Sequence, residues 1–376
     1  MSPQTTEIAI VGAGIVGLAH ALAAAKRGLK VTVFERNDWA VGASVRNFGL
    51  PWPVGVALTP YHPRAMSSRA VWVEAAHSAG FWLNENGSLF LAYHEDEETV
   101  LREFLDAAQD SAYQWLTPAE IATRTPAANL TGLRGGLFSP TELTVDPREA
   151  LRALPEWLSR AYGVKFHFST PVKHVSSGYV STAQETWHAT HTFICSGPDF
   201  ETLYPHVFAA SGMTKCKLQM LRLHPPPEDW RLGPTLVSGL TIARYDCFNG
   251  LPSISALRVR LAHAWPEHIR WGIHVMLAQN GRGELVTGDT HAYGLTFDPF
   301  DSEHANQLIL DYLATFTTLP HPRVLERWHG VYARLPEQTE FIAHPESGVT
   351  IVQNTNGLGM TLSFGMAEAV VQTLDL

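Results

Sequence analysis

The order of apolar and polar residues predicts a strand, a helix and a second strand at the start of the chain. Residues 7–11 form a short apolar run that ends at a glycine, as a buried parallel strand does. Residues 15–27 are rich in alanine and leucine and predict a helix, which Gly28 ends as a cap. Residues 30–35 contain β-branched side chains and predict the second strand. The three elements together have the size of a β-α-β unit.

The rest of the chain shows helical and strand patterns in a particular order. Helical patterns occupy residues 64–79, 97–109, 149–161, 302–316 and 365–374. Strand patterns occupy residues 87–93, 164–175 with a kink at Pro171, 190–195 and 349–352. In the middle region, alternation indicates an antiparallel sheet with strands at residues 218–223, 241–244, 254–261 and 273–277. We therefore expect β-α-β elements at both ends of the chain and an antiparallel sheet between them.

A glycine-rich loop, Gly12-Ala13-Gly14-Ile15-Val16-Gly17, joins the first predicted strand to the first helix. In this context the loop predicts dinucleotide binding of the Rossmann type. Gly12 permits a tight turn, Gly14 lets the backbone approach a pyrophosphate, and Gly17 lets helix and strand pack closely. The start of the helix directs free N–H groups and a positive dipole end toward the phosphates.

Two charged residues follow the second predicted strand. Glu35 is placed to accept hydrogen bonds from ribose hydroxyls, and an acid there disfavours a 2′-phosphate. Arg36 is open to two interpretations, a contact to an NADP phosphate or a surface charge, and the surface charge is the stronger one. Both residues are candidates for the cofactor site.

Four further segments resemble the D-amino-acid oxidase/glycine oxidase (DAO) family of FAD-dependent oxidoreductases. Residues 42–49 (GASVRNFG) resemble its flavin-contacting loop, and residues 144–148 (TVDPR) resemble its entry to a helix. Residues 193–197 (FICSG) resemble its strand and small-residue turn near the FAD. Residues 354–363 (NTNGLGMTLS) resemble its C-terminal glycine-rich flavin loop. With the dinucleotide loop, these segments run in the order of the family.

This resemblance implies an α/β fold with two domains. A Rossmann-type FAD-binding domain with a parallel sheet is expected at residues 1–60, 140–214 and 325–376. A substrate domain with a mainly antiparallel sheet is expected at residues 61–139 and 215–324. Besides the dinucleotide loop, Glu35 and Arg36, the expected FAD contacts are Ala43, Ser44, Arg46, Asn47, Gly49, Val172, Ser196, Gly197, Asn356, Gly357, Leu358, Gly359, Met360 and Thr361. A helix beginning near Ser363 would direct its positive end at the flavin. Because Cys195 lies in the nucleotide half, we predict non-covalent FAD.

The family oxidises the carbon beside an amine by hydride transfer to the flavin, so the resemblance implies little acid–base machinery. Relatives that act on amino acids hold the substrate carboxylate with an arginine in a segment that corresponds to residues 328–336 (WHGVYARLP). Tyr332 occupies the arginine position, and Arg334, on the same side of a strand, is the nearest substitute. Further candidate contacts are His62, Arg244, Tyr245, His291 and His329. Such a cluster suits a tetrahedral anion, and the variant resembles a branch that acts on aminophosphonates, including N-methylated ones.

Several functions stay open at this point. The leading hypothesis is an FAD amine oxidase that uses oxygen and releases an imine, which hydrolyses. The alternatives are an FAD dehydrogenase that passes electrons to a quinone or carrier protein, a flavin hydroxylase, a non-catalytic FAD-binding protein and a nicotinamide dehydrogenase. A hydroxylase would consume NAD(P)H, and the chain has no second dinucleotide loop. Peroxide formation separates the oxidase from the dehydrogenase, and a flavin spectrum separates both from a nicotinamide enzyme.

Composition and charge bear on which binding partners, metal sites and cellular location to expect. The 376 residues carry a formal net charge of −9, so a nucleic-acid-binding surface is not expected. The 3 cysteines are widely spaced, which disfavours disulfides and zinc. The sequence lacks an apolar stretch long enough for a membrane span and a signal-peptide pattern, so we expect a cytoplasmic protein without metal. The oligomeric state stays open.

Overall fold

The computed structural model describes residues 4–227 and 229–374. The strands in that part of the chain are β1 Gln4–Val11, β2 Val31–Phe34, β3 Leu83–Asn84, β4 Ser88–Ala92, β5 Gln114–Leu116, β6 Gly135–Ser139, β7 Thr144–Val145, β8 Lys165–His167, β9 His174–Ser176, β10 Tyr179–Ser181, β11 Thr186–Ile194, β12 Thr214–Leu223, β13 Thr235–Val237, β14 Met276–Gln279, β15 Leu285–Gly288, β16 Ala292–Gly294, β17 Val324–Arg334, β18 Glu340–Glu346 and β19 Val349–Asn354. The helices are α1 Ile15–Lys26, α2 His62–Ala79, α3 Glu95–Ala108, α4 Pro118–Arg124, α5 Pro147–Tyr162, α6 Pro205–Ala210, α7 Gly239–Arg244, α8 Ile254–Ala264, α9 Pro266–Arg270, α10 Glu303–Phe316 and α11 Gly359–Gln372.

The first sheet has a parallel centre and contains both ends of the chain. Its order is β18-β19-β11-β1-β2-β8, and β1 is parallel to both neighbours, β11 and β2. β19 and β8 extend the parallel part, whereas β18 and the β9-β10 hairpin are antiparallel additions. Helices α1, α2, α5 and α11 contribute buried residues to one core with this sheet. The carboxyl ends of β1, β2, β11 and β19 meet at one edge, which is where ligands bind in such sheets.

The second sheet is mainly antiparallel and has the order β16-β12-β15-β14-β13-β4-β6-β5. β17 pairs with β12 along nearly its whole length, from Thr214 opposite Arg334 to Leu223 opposite Val324. Within the described residues, β13 and β4 are the one parallel pair of this sheet. The predicted α/β class, with one parallel and one mainly antiparallel sheet, is confirmed. The predicted domain limits stay a prediction, but β17 belongs to the second sheet although residues from 325 were assigned to the first domain.

Two predicted strands of the middle region are wrong, because both segments are helices. Residues 241–244 lie in α7, and residues 254–261 lie in α8. The buried side chains of α8 are Ile254, Leu257 and Leu261, whose spacing is that of a helix. A short apolar run cannot distinguish a buried strand from a buried helix, so tertiary packing decided the outcome.

Three predicted boundaries also move. The single strand predicted at residues 164–175 is divided into β8 and β9, with Ser169 in a left-handed conformation (φ 52°) between them. The strand predicted at residues 273–277 lies at Met276–Gln279. The last helix begins at Gly359 rather than near Ser363, so its N-terminus follows the glycine-rich loop directly.

Candidate active site

A nucleotide-sized cavity of about 610 Å³ lies at the edge where β1, β2 and β11 end. We call it the nucleotide cavity. The predicted cofactor residues that line it are Gly12, Gly14, Val16, Glu35, Arg36, Ala43, Ser44, Arg46, Val172, Ser196 and Gly197. They come from five separate segments, which the parallel order of the strands brings to one place.

The glycines of the dinucleotide loop have different structural roles. Gly12 has φ 103°, a left-handed conformation that side chains rarely adopt. A Cβ at Gly17 would overlap the carbonyl oxygen of Gly12, so this glycine is needed for contact between α1 and β1. Gly17 and Ala13 do not line either cavity of this site; the first acts through packing and the second through a backbone hydrogen bond.

Glu35 is held in place by backbone N–H groups. Its Oε2 accepts a hydrogen bond from Ala13 N at 2.9 Å, and its Oε1 accepts one from Asn37 N at 3.0 Å. Oε1 also accepts a hydrogen bond from Asn37 Nδ2 at 3.2 Å, so the second lone pair of Oε2 is the one that can accept a hydrogen bond from a ribose hydroxyl. Arg36 forms a surface ion pair with Asp199 at 2.9 Å and is half exposed.

The loop at residues 42–49 is built around Ser44 and Asn47. Ser44 Oγ accepts a hydrogen bond from Ile15 N at 2.9 Å and so ties the loop to the start of α1. Asn47 donates to the carbonyl groups of Ala43 and Ser44 and accepts from Gly49 N, so its amide shapes the loop, and the residue also lines the second cavity described below. Gly49 has φ 75° and packs against Val145, outside both cavities. Arg46 lines both cavities and donates a long hydrogen bond to the carbonyl of His329.

A second cavity of about 450 Å³ continues from the first and lies beneath the second sheet; we call it the central cavity. The C-terminal glycine-rich loop forms one wall, with Asn356, Gly357, Leu358, Gly359 and Met360. Asn356 fixes this loop to the end of β17, because its amide donates to Leu335 O at 2.8 Å and its Oδ1 accepts from Leu335 N. Thr361 lies outside the cavity and accepts a hydrogen bond from Trp52 N.

The opposite wall brings together most of the predicted substrate residues. Arg244, Tyr245, His291, Tyr332 and Arg334 all line the central cavity. Tyr332 and Arg334 reach it from the same side of β17, as alternation on a strand requires. Arg244 and Tyr245 arrive from the end of α7 and not from a strand.

Two predicted substrate residues, His62 and His329, lie outside the walls of the central cavity. His62 is the first residue of α2 and is absent from the walls of the central cavity. His329 is also absent from those walls; its Nδ1 lies 3.1 Å from Asp301 Oδ2 in an exposed pair. On β17, His329 is an odd number of residues away from Tyr332 and from Arg334. Because side chains alternate along a strand, that of His329 points to the opposite face of the sheet.

Among the residues of this cavity that were not predicted from the sequence are His274, Asp289 and Tyr293. One sequence pattern could have indicated two of them: Asp289, His291 and Tyr293 are spaced two residues apart. In an extended segment this spacing places all three side chains on one side, together with the predicted His291. Tyr293 joins the two arginines of the cavity. Arg244 Nη2 lies 3.3 Å from the Tyr293 hydroxyl, and the guanidinium of Arg334 lies 4.1 Å from the centre of the Tyr293 ring.

Burial sets the protonation states in this wall. Burial lowers the pKa of His291 to about 3, so its imidazole is neutral at ordinary pH. Its Nδ1 lies 2.8 Å from the carbonyl oxygen of Gly272 and therefore carries the hydrogen. Burial also raises the pKa of Tyr332, which keeps its hydroxyl protonated and able to donate. For Asp289, burial favours the neutral acid, but its interactions with His291, His274 and Arg244 outweigh burial and lower the pKa.

The donors and shapes present fit a flavin dinucleotide. A glycine-rich turn, a buried acid and an open helix start suit an ADP-ribose moiety, and the adjoining cavity has room for a flat ring beside backbone without side chains at Gly357 and Gly359.

No helix within the described residues is long and apolar enough to cross a membrane.

Comparisons with known proteins agree with this geometry. A glycine oxidase from Geobacillus kaustophilus (strain HTA426) is 28% identical over 204 residues, which is 51% of this chain and 54% of the relative. The mitochondrial sarcosine dehydrogenase of Homo sapiens is 29% identical over 153 residues, 39% of this chain and 16% of the relative. The chain thus aligns with about half of the first relative's length and far less of the second's. The crystal structure of glycine oxidase from Geobacillus kaustophilus superposes with a TM-score of 0.77 at 22% identity, covering 99% of this chain and 96% of that one.

The family comparison extends over nearly the whole chain. The sequence pattern of the DAO family, described as FAD dependent oxidoreductase, matches residues 7–373. This range includes every element that forms the two cavities. The chain therefore belongs to the DAO family of FAD-dependent oxidoreductases, and the cofactor expected from its dinucleotide loop and flavin segments is FAD.

Proposed function

We propose that this protein oxidises the C–N bond of a small amine that carries an anionic group. The observation that supports this proposal is the pair of arginines on Tyr293 in the central cavity. Arg244 and Arg334 come from α7 and β17, and Tyr293 holds both. Among the described residues, neither guanidinium forms an ion pair with a carboxylate. Two such cations on one cavity wall favour an anionic ligand.

The residues of the chain bind and orient this substrate. FAD, when bound, supplies the acceptor for the hydride that leaves the carbon beside the amine. Arg244 and Arg334 hold the anionic group, and the protonated hydroxyl of Tyr332 is available as a further donor. Asn356 fixes the glycine-rich loop to β17, which carries Arg334. The loop that would contact the flavin and the strand that would contact the substrate are thereby held at a fixed distance from each other. Such positioning is the main contribution that a protein makes to hydride transfer.

The candidate substrates are amino acids, N-methyl amines and aminophosphonates. The family resemblance implies one arginine for the carboxylate of an amino acid, whereas this cavity presents two arginines together with the hydroxyls of Tyr293 and Tyr332. Three phosphonate oxygens can use more of these donors than two carboxylate oxygens can. We therefore propose a phosphonate, including an N-methylated aminophosphonate, ahead of a carboxylate.

The test is anaerobic bleaching of the flavin with matched pairs of amines. The pairs are glycine with aminomethylphosphonate, and N-methylglycine with N-methyl-aminomethylphosphonate, with 2-aminoethylphosphonate added. Bleaching by the phosphonate member of a pair at lower concentration supports the proposal. A flavin that no member reduces would overturn it and favour a non-catalytic FAD-binding protein.

We also propose oxygen as the electron acceptor, and this part is tested separately. Under air, an oxidase forms hydrogen peroxide in a one-to-one ratio with substrate consumed. A dehydrogenase would reduce a quinone or dye and form little peroxide. The imine product would hydrolyse, so the carbonyl compound should appear in the same amount.

A further inference from the structure

The same cavity wall that carries the two arginines also carries a buried carboxylate, Asp289. Its side chain is about 5% exposed and lines the central cavity. Asp289 Oδ1 is buried without a well-aligned hydrogen bond from any of the described residues, although His274 Nε2 lies 3.0 Å away. Nδ1 of His291 lies 3.7 Å away but donates to Gly272. A carboxylate in this position is therefore held between two imidazoles without being satisfied by either.

Part of the burial cost of Asp289 is left for a ligand to offset. Burial removes the hydration of the carboxylate, and its Oδ1 gains no well-aligned hydrogen bond in return. The lowered pKa of Asp289 means that the group stays ionised in these surroundings. A cation in the cavity would supply the missing interaction, and the neutral rings of His274 and His291 do not.

On the basis of the function proposed above, we propose that Asp289 binds the substrate nitrogen and stabilises the positive charge that forms on it during oxidation. The free amine is neutral. When hydride leaves the neighbouring carbon for FAD, the nitrogen lone pair forms the C=N bond, and the nitrogen becomes positive. No further reactant is needed. Because the charge appears only as the reaction proceeds, the attraction to Asp289 is stronger in the transition state than for the bound free amine.

The arrangement gives the cavity two positively charged side chains and one negatively charged side chain. Arg244 and Arg334 hold the anionic group, and Asp289 faces the nitrogen. A metal ion is the competing occupant, since one ligand atom each from His274, Asp289 and His291 lie within 4.8 Å of one another. The guanidinium of Arg244 shares this wall and would repel a metal cation, whereas the substrate brings its own anion for that arginine.

The test compares Asp289→Asn with Asp311→Asn. Asp311 lies outside both cavities, is exposed and accepts a hydrogen bond from Gln307 Nε2 at 2.8 Å. The rate constant of anaerobic flavin reduction at saturating amine should fall on the order of 100-fold in Asp289→Asn. The amine's dissociation constant should change far less, and Asp311→Asn should keep the wild-type rate.

A binding measurement keeps the inference independent of turnover. Two pairs of ligands are compared, and the members of each pair share an anionic group but differ in whether they carry a permanently positive nitrogen. The first pair is glycine betaine with acetate, and the second is trimethylaminomethylphosphonate with methylphosphonate. Binding is followed by the change in flavin absorbance. Asp289→Asn should weaken the cationic member of each pair about 10-fold relative to the anion alone. Asp289→Ser, a second neutral variant, replaces Asp289→Asn if that variant does not retain FAD, with the same expected ratio.

The possible results separate the two proposals. If the wild type is not reduced by any amine, the proposed function fails, whereas the binding ratio still tests Asp289. If the neutral variants keep the wild-type ratio and rate, Asp289 does not bind the nitrogen. A stoichiometric metal ion in the purified protein that disappears in Asp289→Asn would also overturn the inference.

Discussion

A buried histidine in α1 predicts how the stability of this protein responds to acid. The side chain of His20 is fully buried and lies 4.9 Å, centre to centre, from the ring of Phe193. Its Nδ1 lies 2.7 Å from the carbonyl oxygen of Val16, and its Nε2 is buried without a partner. A second proton would have to enter on Nε2 in apolar surroundings. Burial therefore lowers the pKa of His20 from 6.5 to about 4.

The size and direction of the effect follow from linkage. The unfolded chain takes up a proton near pH 6.5, whereas the folded chain resists it until about pH 4. The stabilising contribution is thus complete above pH 6.5 and is lost as the pH falls through this window. Since one pKa unit corresponds to about 1.4 kcal/mol, the full loss is about 3 kcal/mol, of which about 2 kcal/mol has occurred at pH 5.

The assay is urea unfolding of the FAD-bound protein at several pH values between 7.5 and 5. Wild type should lose about 2 kcal/mol more than His20→Leu over this range. Contributions from the other buried histidines are common to both proteins and cancel. His77→Leu, which removes an imidazole from an exposed position of α2, serves as the control and should follow wild type. Equal losses in wild type and His20→Leu would refute the reasoning, because burial of His20 would then carry no proton linkage.

Four further predictions concern the two cavities. Gly17→Ala forces α1 away from β1, so it should cost about 1–3 kcal/mol and abolish FAD retention on dialysis, whereas Gly28→Ala at the far end of α1 should lower stability by about 1–2 kcal/mol and keep FAD. Glu35→Gln should weaken FAD binding by about 10-fold in a fluorescence titration, since a charged acceptor for the ribose is lost; an unchanged dissociation constant would remove Glu35 from the site. Arg334→Ala should raise the apparent binding constant of the substrate about 10- to 100-fold with normal FAD content, and unchanged kinetics would exclude Arg334 from substrate binding. Denaturation should release all FAD into solution, because the thiol of Cys195 is buried and burial raises its pKa; flavin that stays with the precipitated chain would contradict non-covalent binding.

The sequence by itself predicted the nucleotide half well, because its signals are local. Residues 12–17 follow one strand and open one helix, and each glycine has a steric role that spacing alone reveals. Glu35 is one residue beyond β2, where a parallel strand must deliver it to the same edge. The segments at 42–49 and 354–363 added the flavin, again as short stretches whose order along the chain could be compared with a family.

The substrate half depended on contacts that no local pattern contains. The segments around Arg244 and Leu257 were predicted as strands but form helices, because a short apolar run has the same composition in either buried element. His62 and His329 carried suitable chemistry but lie outside the central cavity, and Asp289 was missed because an isolated acid gives no signal of its burial. Arg244 and Arg334 share Tyr293 only because α7, β16 and β17 meet around one cavity. Local periodicity and steric requirements thus determined the cofactor loop, whereas the arrangement of charged residues around the central cavity was decided by packing between residues distant in the chain.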